Sequence, residues 1–329
     1  MTLDPDKLQT AWRRHERRFA DNLYVYAVVS RRSGGLSVGI NLNPGKECNF
    51  DCIYCQVDRT AAPAVQAGPP ARQPRGPQRG SRVGVERGVP DAPGALGCKR
   101  RRGAKVDLKR LAAELDRVLA AEQDGSFYEA MPFALLGSDE RGVRDIALSG
   151  DGEPTTYPRF GDAVKIAADA RRRFNLETTK LVLITDSAYL ARPAVREALA
   201  VMDENNGEVW AKLDAGTEEN FRLVNRPNVS LKAMLDNILV TARVRPIVIQ
   251  TLWLRVHGQA PPAEEIHAYC TRLGELVEAG AKLKAIQLYT IARAPAEKYA
   301  APLSDAELDG IADTVAARVP VPVKKYYGA

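Results

Sequence analysis

The chain has 329 residues, a net charge of +6, 45% apolar residues and 27% charged ones. That length holds one large barrel or two ordinary domains, and no run of about 18 apolar residues is present to form a transmembrane helix. The N-terminus is charged (Asp4, Asp6, Lys7, Arg13, Arg14) and lacks the apolar stretch of a secretory leader, so a cytoplasmic address is expected.

In chain order, residues 1–30 read as a helical N-terminal extension in which His15 lies among Arg13, Arg14, Arg17 and Arg18. A strand is expected over 36–42, running into a cysteine-rich loop. The segment 61–105 then interrupts the pattern. It carries ten Lys/Arg against two acids, seven prolines and eight glycines, and no Ile, Phe, Tyr or Trp. Such a composition cannot bury enough apolar surface to offset the entropy of ordering, so it reads as a long, basic, disordered insertion. Its surplus exceeds the whole net charge, so the remainder of the chain is close to neutral. Two other readings stay open: Lys99–Arg102 as a contact for anionic RNA, and a frame-shifted stretch of coding sequence.

Beyond the insertion, apolar spacing predicts helices at 107–122, 160–174, 193–202, 218–224, 231–240, 264–279 and 303–319. Short apolar runs predict strands at 144–148, 180–185, 208–213, 246–256 and 283–291. Gly280 is the expected stop of the helix before it, which also takes Cys270 into its apolar face and leaves His267 to solvent. Alternating strands and helices predict a parallel sheet, and six such units curl toward a barrel. The expected organisation is an extension at 1–30, a barrel at 31–302 and a C-terminal helix and tail at 303–329.

Cys48, Cys52 and Cys55 are three of only five cysteines. Thiolates at that density hold metal. Three of them suit an iron–sulfur cube with one iron left without a protein ligand, open to a small molecule. A structural zinc ion wants four ligands, whereas the chain adds only His15, His257 and His267 and the isolated Cys98 and Cys270. A disulfide is disfavoured by the odd number and by a reducing cytosol.

Cys48-x3-Cys52-x2-Cys55, with Tyr54 before the last cysteine, resembles the signature of the radical S-adenosylmethionine (SAM) superfamily. Gly39-Ile40-Asn41-Leu42-Asn43-Pro44 and Gln56-Val57-Asp58-Arg59 flank it. With Ser149-Gly150-Asp151-Gly152-Glu153-Pro154-Thr155 and Lys212-Leu213-Asp214-Ala215-Gly216, the pattern is similar to the wyosine-synthase-like branch. The resemblance spans roughly residues 24–325, and it implies a partial (β/α)6 TIM-like barrel. It implies a 4Fe-4S cluster on the three cysteines, and SAM cleaved reductively to methionine and a 5′-deoxyadenosyl radical that takes hydrogen from a substrate. It also implies a one-electron reductant such as flavodoxin or ferredoxin, and no membrane. The substrate class (small molecule, tRNA or protein) is open. Wyosine enzymes carry a second cysteine set, absent here, which weakens the analogy to tRNA modification.

By the same resemblance, Gly150, Gly152 and Glu153 take the SAM ammonium. The family form has two adjacent glycines, whereas Asp151 separates them here. Lys212 and Asp214 either hold the SAM ribose or carboxylate or form an internal salt bridge. Tyr54 lies near the adenine or simply packs. Gln250, Gln287 and Tyr289, on late strands, are candidates to face substrate, and His257, ending a strand, to approach the pocket. The competing functions are a non-catalytic iron–sulfur electron carrier or redox sensor, and a zinc-stabilised RNA-binding module.

Overall fold

A computed structural model describes residues 19–57, 59 and 105–328. Nearly all of the 61–105 insertion, His15 and Cys98 lie outside the described residues.

Six runs that are apolar on alternate or both faces become the parallel core of one sheet: β2 (Gly35–Ile40), β3 (Val143–Leu148), β4 (Lys180–Thr185), β5 (Gly207–Lys212), β6 (Ile247–Leu252) and β8 (Leu283–Tyr289). Two more strands extend it among the described residues. β1 (Val25–Ser30) pairs antiparallel with β2 at one end, and β10 (Val323–Tyr326) pairs parallel with β8 at the other. The result is a curled, mostly parallel eight-stranded half-barrel. One side-chain contact links the two ends of this open sheet: Arg31, in the turn after β1, donates to the Tyr327 carbonyl just beyond β10. A separate antiparallel pair joins β7 (Leu254–Val256) to β9 (Ala300–Pro302).

Both edge strands correct the sequence expectation. The extension assigned to 1–30 as helix contains β1, and the tail after the last helix contains β10. The reading of 246–256 as one strand is also corrected: it breaks at Trp253, whose amide turns to the Tyr289 carbonyl at 2.9 Å, giving β6 and then β7.

The helices are α1 (Leu108–Asp124), α2 (Phe160–Arg173), α3 (Pro193–Asp203), α4 (Glu218–Asn225), α5 (Leu231–Val244), α6 (Ala263–Glu278) and α7 (Asp305–Arg318). Asp107 caps α1, accepting from the Lys109 and Arg110 amides at 3.0 and 3.2 Å, and Gly125 ends it in the left-handed region at φ 84°. Gly280, at φ 90°, follows α6 as expected. Buried Glu114 on α1 ties down the chain entering β1. It accepts from the amides of Leu23, Tyr24 and Val25 at 2.9, 2.8 and 3.1 Å, while Arg110 supplies the counter-charge at 2.7 Å.

Strand alternation divides the interior in two. Ile146, Leu148, Leu181, Leu183, Val209, Ala211, Ile247 and Ile249 face the helices and form the main core. On the other face, Ala147, Val182, Trp210, Val248 and Ala285 form a small apolar floor inside the half-barrel. Polar residues stand above that floor, toward the C-terminal ends of the strands, where barrels place their sites.

Candidate functional site

The cysteine loop is set by its backbone. The last carbonyls of a helix have no partner within it, and those of Val224 and Asn225 at the end of α4 receive the amides of Ile53 and Asp51 at 3.0 and 3.2 Å. Phe50 packs edge-on against Phe221 of the same helix, with ring centroids 5.6 Å apart. The Glu297 amide reaches the Ile53 carbonyl at 3.1 Å from the other side. The loop that carries the thiols is therefore held without any help from the thiols.

Gly150 and Gly152 exist for close approach within the chain. Neither has a positive φ. A Cβ on Gly152 would lie 1.8 Å from the Glu47 carbonyl oxygen, and one on Gly150 would lie 2.4 Å from Asn41 Oδ1. The Ser149–Thr155 loop thus lies directly on the cysteine loop, and Asn41 stitches the two through Asp151, with contacts of 2.8 and 3.1 Å. Gly152→Ala is expected to push the cysteine loop off its seat. Iron uptake in reconstitution should fall at least severalfold while the far-UV spectrum stays native, and unchanged uptake would contradict this packing account.

A cavity of about 310 Å³ opens inside the half-barrel above its floor. Cys48, Cys52, Cys55, Tyr54, Gly150, Gly152, Glu153, Lys212, Gln250 and Tyr289 all line it. Five separate sequence segments are brought together. Gln287 does not line it; it is buried and accepts from Gln250 Nε2 at 2.7 Å. His257 stacks on Tyr299 outside the cavity, with centroids 4.4 Å apart, and His267 is exposed on α6. Cys270 is buried in the helix-facing core.

Asp214 stands behind the cavity wall with its carboxylate fully used. It accepts from Lys212 Nζ at 3.2 Å, the Leu252 amide at 2.9 Å, Asn225 Nδ2 at 2.9 Å and the Tyr54 hydroxyl. The internal salt bridge that the sequence left open is the one the fold forms. Asp214 thereby orients Tyr54 and Lys212, and Lys212 in turn donates to the Tyr289 hydroxyl at 2.7 Å and stands 5.0 Å from the centre of the Tyr54 ring. Asn225, which the sequence did not single out, ties this network to the cysteines: its amide also lies 3.5 Å from Cys52 Sγ.

Glu153 is similarly occupied. It accepts from the Thr155 amide at 3.1 Å, the Thr155 hydroxyl, the Thr185 hydroxyl at 2.7 Å and the Asp186 amide at 2.7 Å. Its buried carboxylate is pushed up by desolvation, an effect that these donors oppose. Asp186, at the end of β4, has the opposite balance. It lines the cavity, is only 8% exposed, and one of its two oxygens has no hydrogen-bond partner in the fold. Burial and the neighbouring Glu153 carboxylate hold it well above the ordinary range. Hydrogen bonds to a carboxylate favour its charged form, so Glu153, with four donors, is the member of the pair that the fold already satisfies, and Asp186 is the group left over.

Burial pushes the Cys48 and Cys52 thiols up to about 11 and about 12. Arg59 lies against the cysteines, with Nη2 3.6 Å from Cys55 Sγ. The thiols would thus stay neutral at pH 7 without a cationic partner, and metal binding here releases protons. Among the described residues, no three His, Cys, Asp or Glu side chains converge as they would on a single ion. The three thiols that line the cavity supply the donor type and number for three irons of a cube, which takes one thiolate per iron.

No family model matches the chain. Among curated proteins it is 23% identical over 286 residues to a GTPase Obg of Brachyspira hyodysenteriae, covering 86% of this chain and 32% of that protein. It is 25% identical over 215 residues to UPF0026 protein MJ1312 of Methanocaldococcus jannaschii, covering 65% of this chain and 47% of that one. The chain thus spans less than half the length of either curated relative. Among solved structures it is similar to TYW1 with a lysine–pyruvate adduct bound, at a TM-score of 0.47 and 13% identity, covering 97% of this chain and 83% of that one. Archaeal TYW1 gives a TM-score of 0.37 at 15% identity, covering 67% and 66%; a spore photoproduct lyase mutant gives 0.42 at 11%, covering 65% and 66%. TYW1 and spore photoproduct lyase are radical SAM enzymes.

Proposed function

We propose that the chain is a radical SAM enzyme, with a 4Fe-4S cluster on Cys48, Cys52 and Cys55 and SAM in the cavity beside it. The observation that carries this reading is a junction: the three thiols share one cavity with the buried Asp186 carboxylate, one of whose oxygens has no hydrogen-bond partner in the fold. An electron carrier has no use for such a cavity. One relative's description as a GTPase does not transfer, because the chain contains no Gly-x4-Gly-Lys-Ser/Thr loop to cradle phosphates.

Cluster and SAM together supply one-electron cleavage of a carbon–sulfur bond and a radical that removes hydrogen from substrate. The protein's part is placement and exclusion of water. Asp186 offers its unpartnered oxygen to the SAM ammonium, and Glu153 fixes the end of β4 so that Asp186 faces the cavity. Lys212, held by Asp214 and Tyr289, presents an ammonium to a carboxylate or hydroxyl. Arg59 balances the charge of the cysteinates. The reductant is a small one-electron carrier of the flavodoxin or ferredoxin kind.

The test is anaerobic reconstitution with counts of iron and sulfide, followed by SAM and dithionite. Release of 5′-deoxyadenosine supports the reading. An intact cluster that never cleaves SAM leaves a carrier or sensor, and bound zinc without iron removes the cluster altogether.

Asp186→Asn separates the two carboxylates. Losing one charge-assisted contact is expected to weaken SAM binding by about ten- to a hundredfold, with iron content unchanged. The same change is expected to stabilise the fold at neutral pH. An acid whose folded pKa is raised binds more protons when folded, so its ionisation lowers stability as pH rises from about 4 toward that raised value. Asparagine removes the penalty and still accepts from the Ala188 amide, now 3.0 Å from the carboxylate. Melting curves of both proteins at pH 4 and pH 8 would check this, with a difference confined to pH 8.

A further inference from the structure

We infer that Arg32 is the receptor for an anionic group, a carboxylate or a phosphate, of a small substrate that shares the cavity with SAM. The inference rests on the radical SAM reading of that cavity and names the class of substrate it takes.

Arg32 lies in the turn between β1 and β2, yet its guanidinium reaches back over the sheet to line the cavity. It stands 5.6 Å from the Trp210 ring centre and 5.2 Å from that of Tyr289. Nη1 donates to Gln250 Oε1 at 3.1 Å, and Gln250 Nε2 donates onward to Gln287 at 2.7 Å, which fixes the Gln250 oxygen toward the arginine. Two aromatic faces and a glutamine relay therefore hold the guanidinium, and among the described residues it has no carboxylate at ion-pair distance. A pre-oriented fork with most of its five donors uncommitted is suited to a planar or tetrahedral oxyanion.

The neighbouring groups leave that role open. Arg31, the adjacent residue, also lines the cavity and adds positive charge. Asp145 is the acid that feels Arg32, but it is 2% exposed and bonded by Ser37 at 2.5 Å, and burial drives it toward its neutral form. The position relative to the chemistry is also defined. Lys212 Nζ and the Arg32 guanidinium stand at the same 5.2 Å from the Tyr289 ring centre. An anion on Arg32 is thus one aromatic ring away from the lysine next to Tyr54 and the cysteines, and a substrate anchored there extends its other end toward the cluster.

The full-length, anaerobically reconstituted chain would be titrated with inorganic phosphate and, separately, with malonate. Tryptophan fluorescence reports binding, since Trp210 lies against Arg32, and choline chloride at matched ionic strength is the control. At least one anion is expected to give a saturable change. The phosphate and malonate arms distinguish a phosphoester substrate from a carboxylic acid. Arg32→Gln is expected to weaken binding about tenfold or more, with Arg32→Lys in between, because it keeps the charge and loses the fork. Saturating SAM is expected to leave anion binding in place. Wild-type protein that ignores both anions overturns the inference, as does an Arg32→Gln variant of unchanged melting temperature and unchanged affinity. Competition by SAM would also overturn it, by assigning Arg32 to the cofactor. No SAM is present in the main titration. A chain that cleaves SAM and ignores both anions therefore loses this site alone, and one that binds them and never cleaves SAM loses only the enzymatic reading.

Discussion

Cys52→Ala is expected to lower bound iron and sulfide to background and to abolish 5′-deoxyadenosine formation, with the fold intact. On the proposed reading Cys52 is the middle ligand, and two remaining thiolates would leave two irons of a cube without protein anchors. The loop does not depend on the thiol for its shape. Its amides are held by the Val224 and Asn225 carbonyls, and the Cys55 amide closes on the Cys52 carbonyl at 3.0 Å, a contact that alanine keeps. The substitution also removes a buried group whose ionisation burial opposes, so the metal-free protein loses nothing in stability from charge. Cys270→Ala is the control: that thiol lies in the helix-facing core, so iron content should be unaffected. Iron analysis and the visible absorption band read both variants. Wild-type iron in Cys52→Ala would remove the cluster assignment and the enzyme with it.

The central sheet was legible because its strands are short apolar runs bounded by turns. Leu181, Val182, Leu183 and Thr185 are buried, on both faces of the strand, as in parallel sheets. The edge strands were not. Val-Lys-Lys-Tyr at 323–326 has no apolar face: its two adjacent lysines are exposed and fall on opposite faces of the strand, and lysines on an edge also discourage pairing with other chains. Val25–Ser30 is apolar enough, but it follows a charged stretch, and its docking depends on Glu114, some ninety residues away. The site shows the same division. Cys48, Cys52 and Cys55 carry their meaning in their spacing. Thr185-Asp186-Ser187 is legible as a strand-end motif, whereas Asn225 and Arg32 are single residues in unremarkable contexts, and the role of each of the three emerges only when the fold sets Asp186 beside Glu153, Asn225 beside Cys52 and Arg32 beside Tyr289. Asp214 was legible as a strand-end carboxylate; that all its acceptor capacity is used inside the wall depended on α4 bringing Asn225 to it.

Asp214→Ala is expected to be the most destabilising single change in the site, costing about 3–5 kcal/mol, because it removes one partner of a buried ion pair and leaves the other uncompensated. The Lys212 side chain is 17% exposed and that of Asp214 only 1%. Burial acts to lower the Lys212 pKa, yet Asp214 and Tyr289 together hold it above the usual lysine value. A lysine raised in this way contributes stability that is fully present below its unfolded pKa, about 10.4, and is lost only as pH rises through the higher folded value. Without Asp214 the burial effect dominates and the sign reverses: the ammonium is then a penalty, and the variant should gain stability as alkaline pH neutralises it. The donors left behind, the Leu252 amide, Asn225 and the Tyr54 hydroxyl, add to the cost. Replacing both members, Lys212→Met with Asp214→Leu, should recover much of the loss, since two apolar side chains need no counter-charge. Urea midpoints of the wild type, the single variant and the double variant at pH 7 and pH 10 check the whole argument. A single variant within about 1 kcal/mol of wild type, the range of an exposed pair, would mean that solvent reaches Lys212 and that the wall behind the cavity is open.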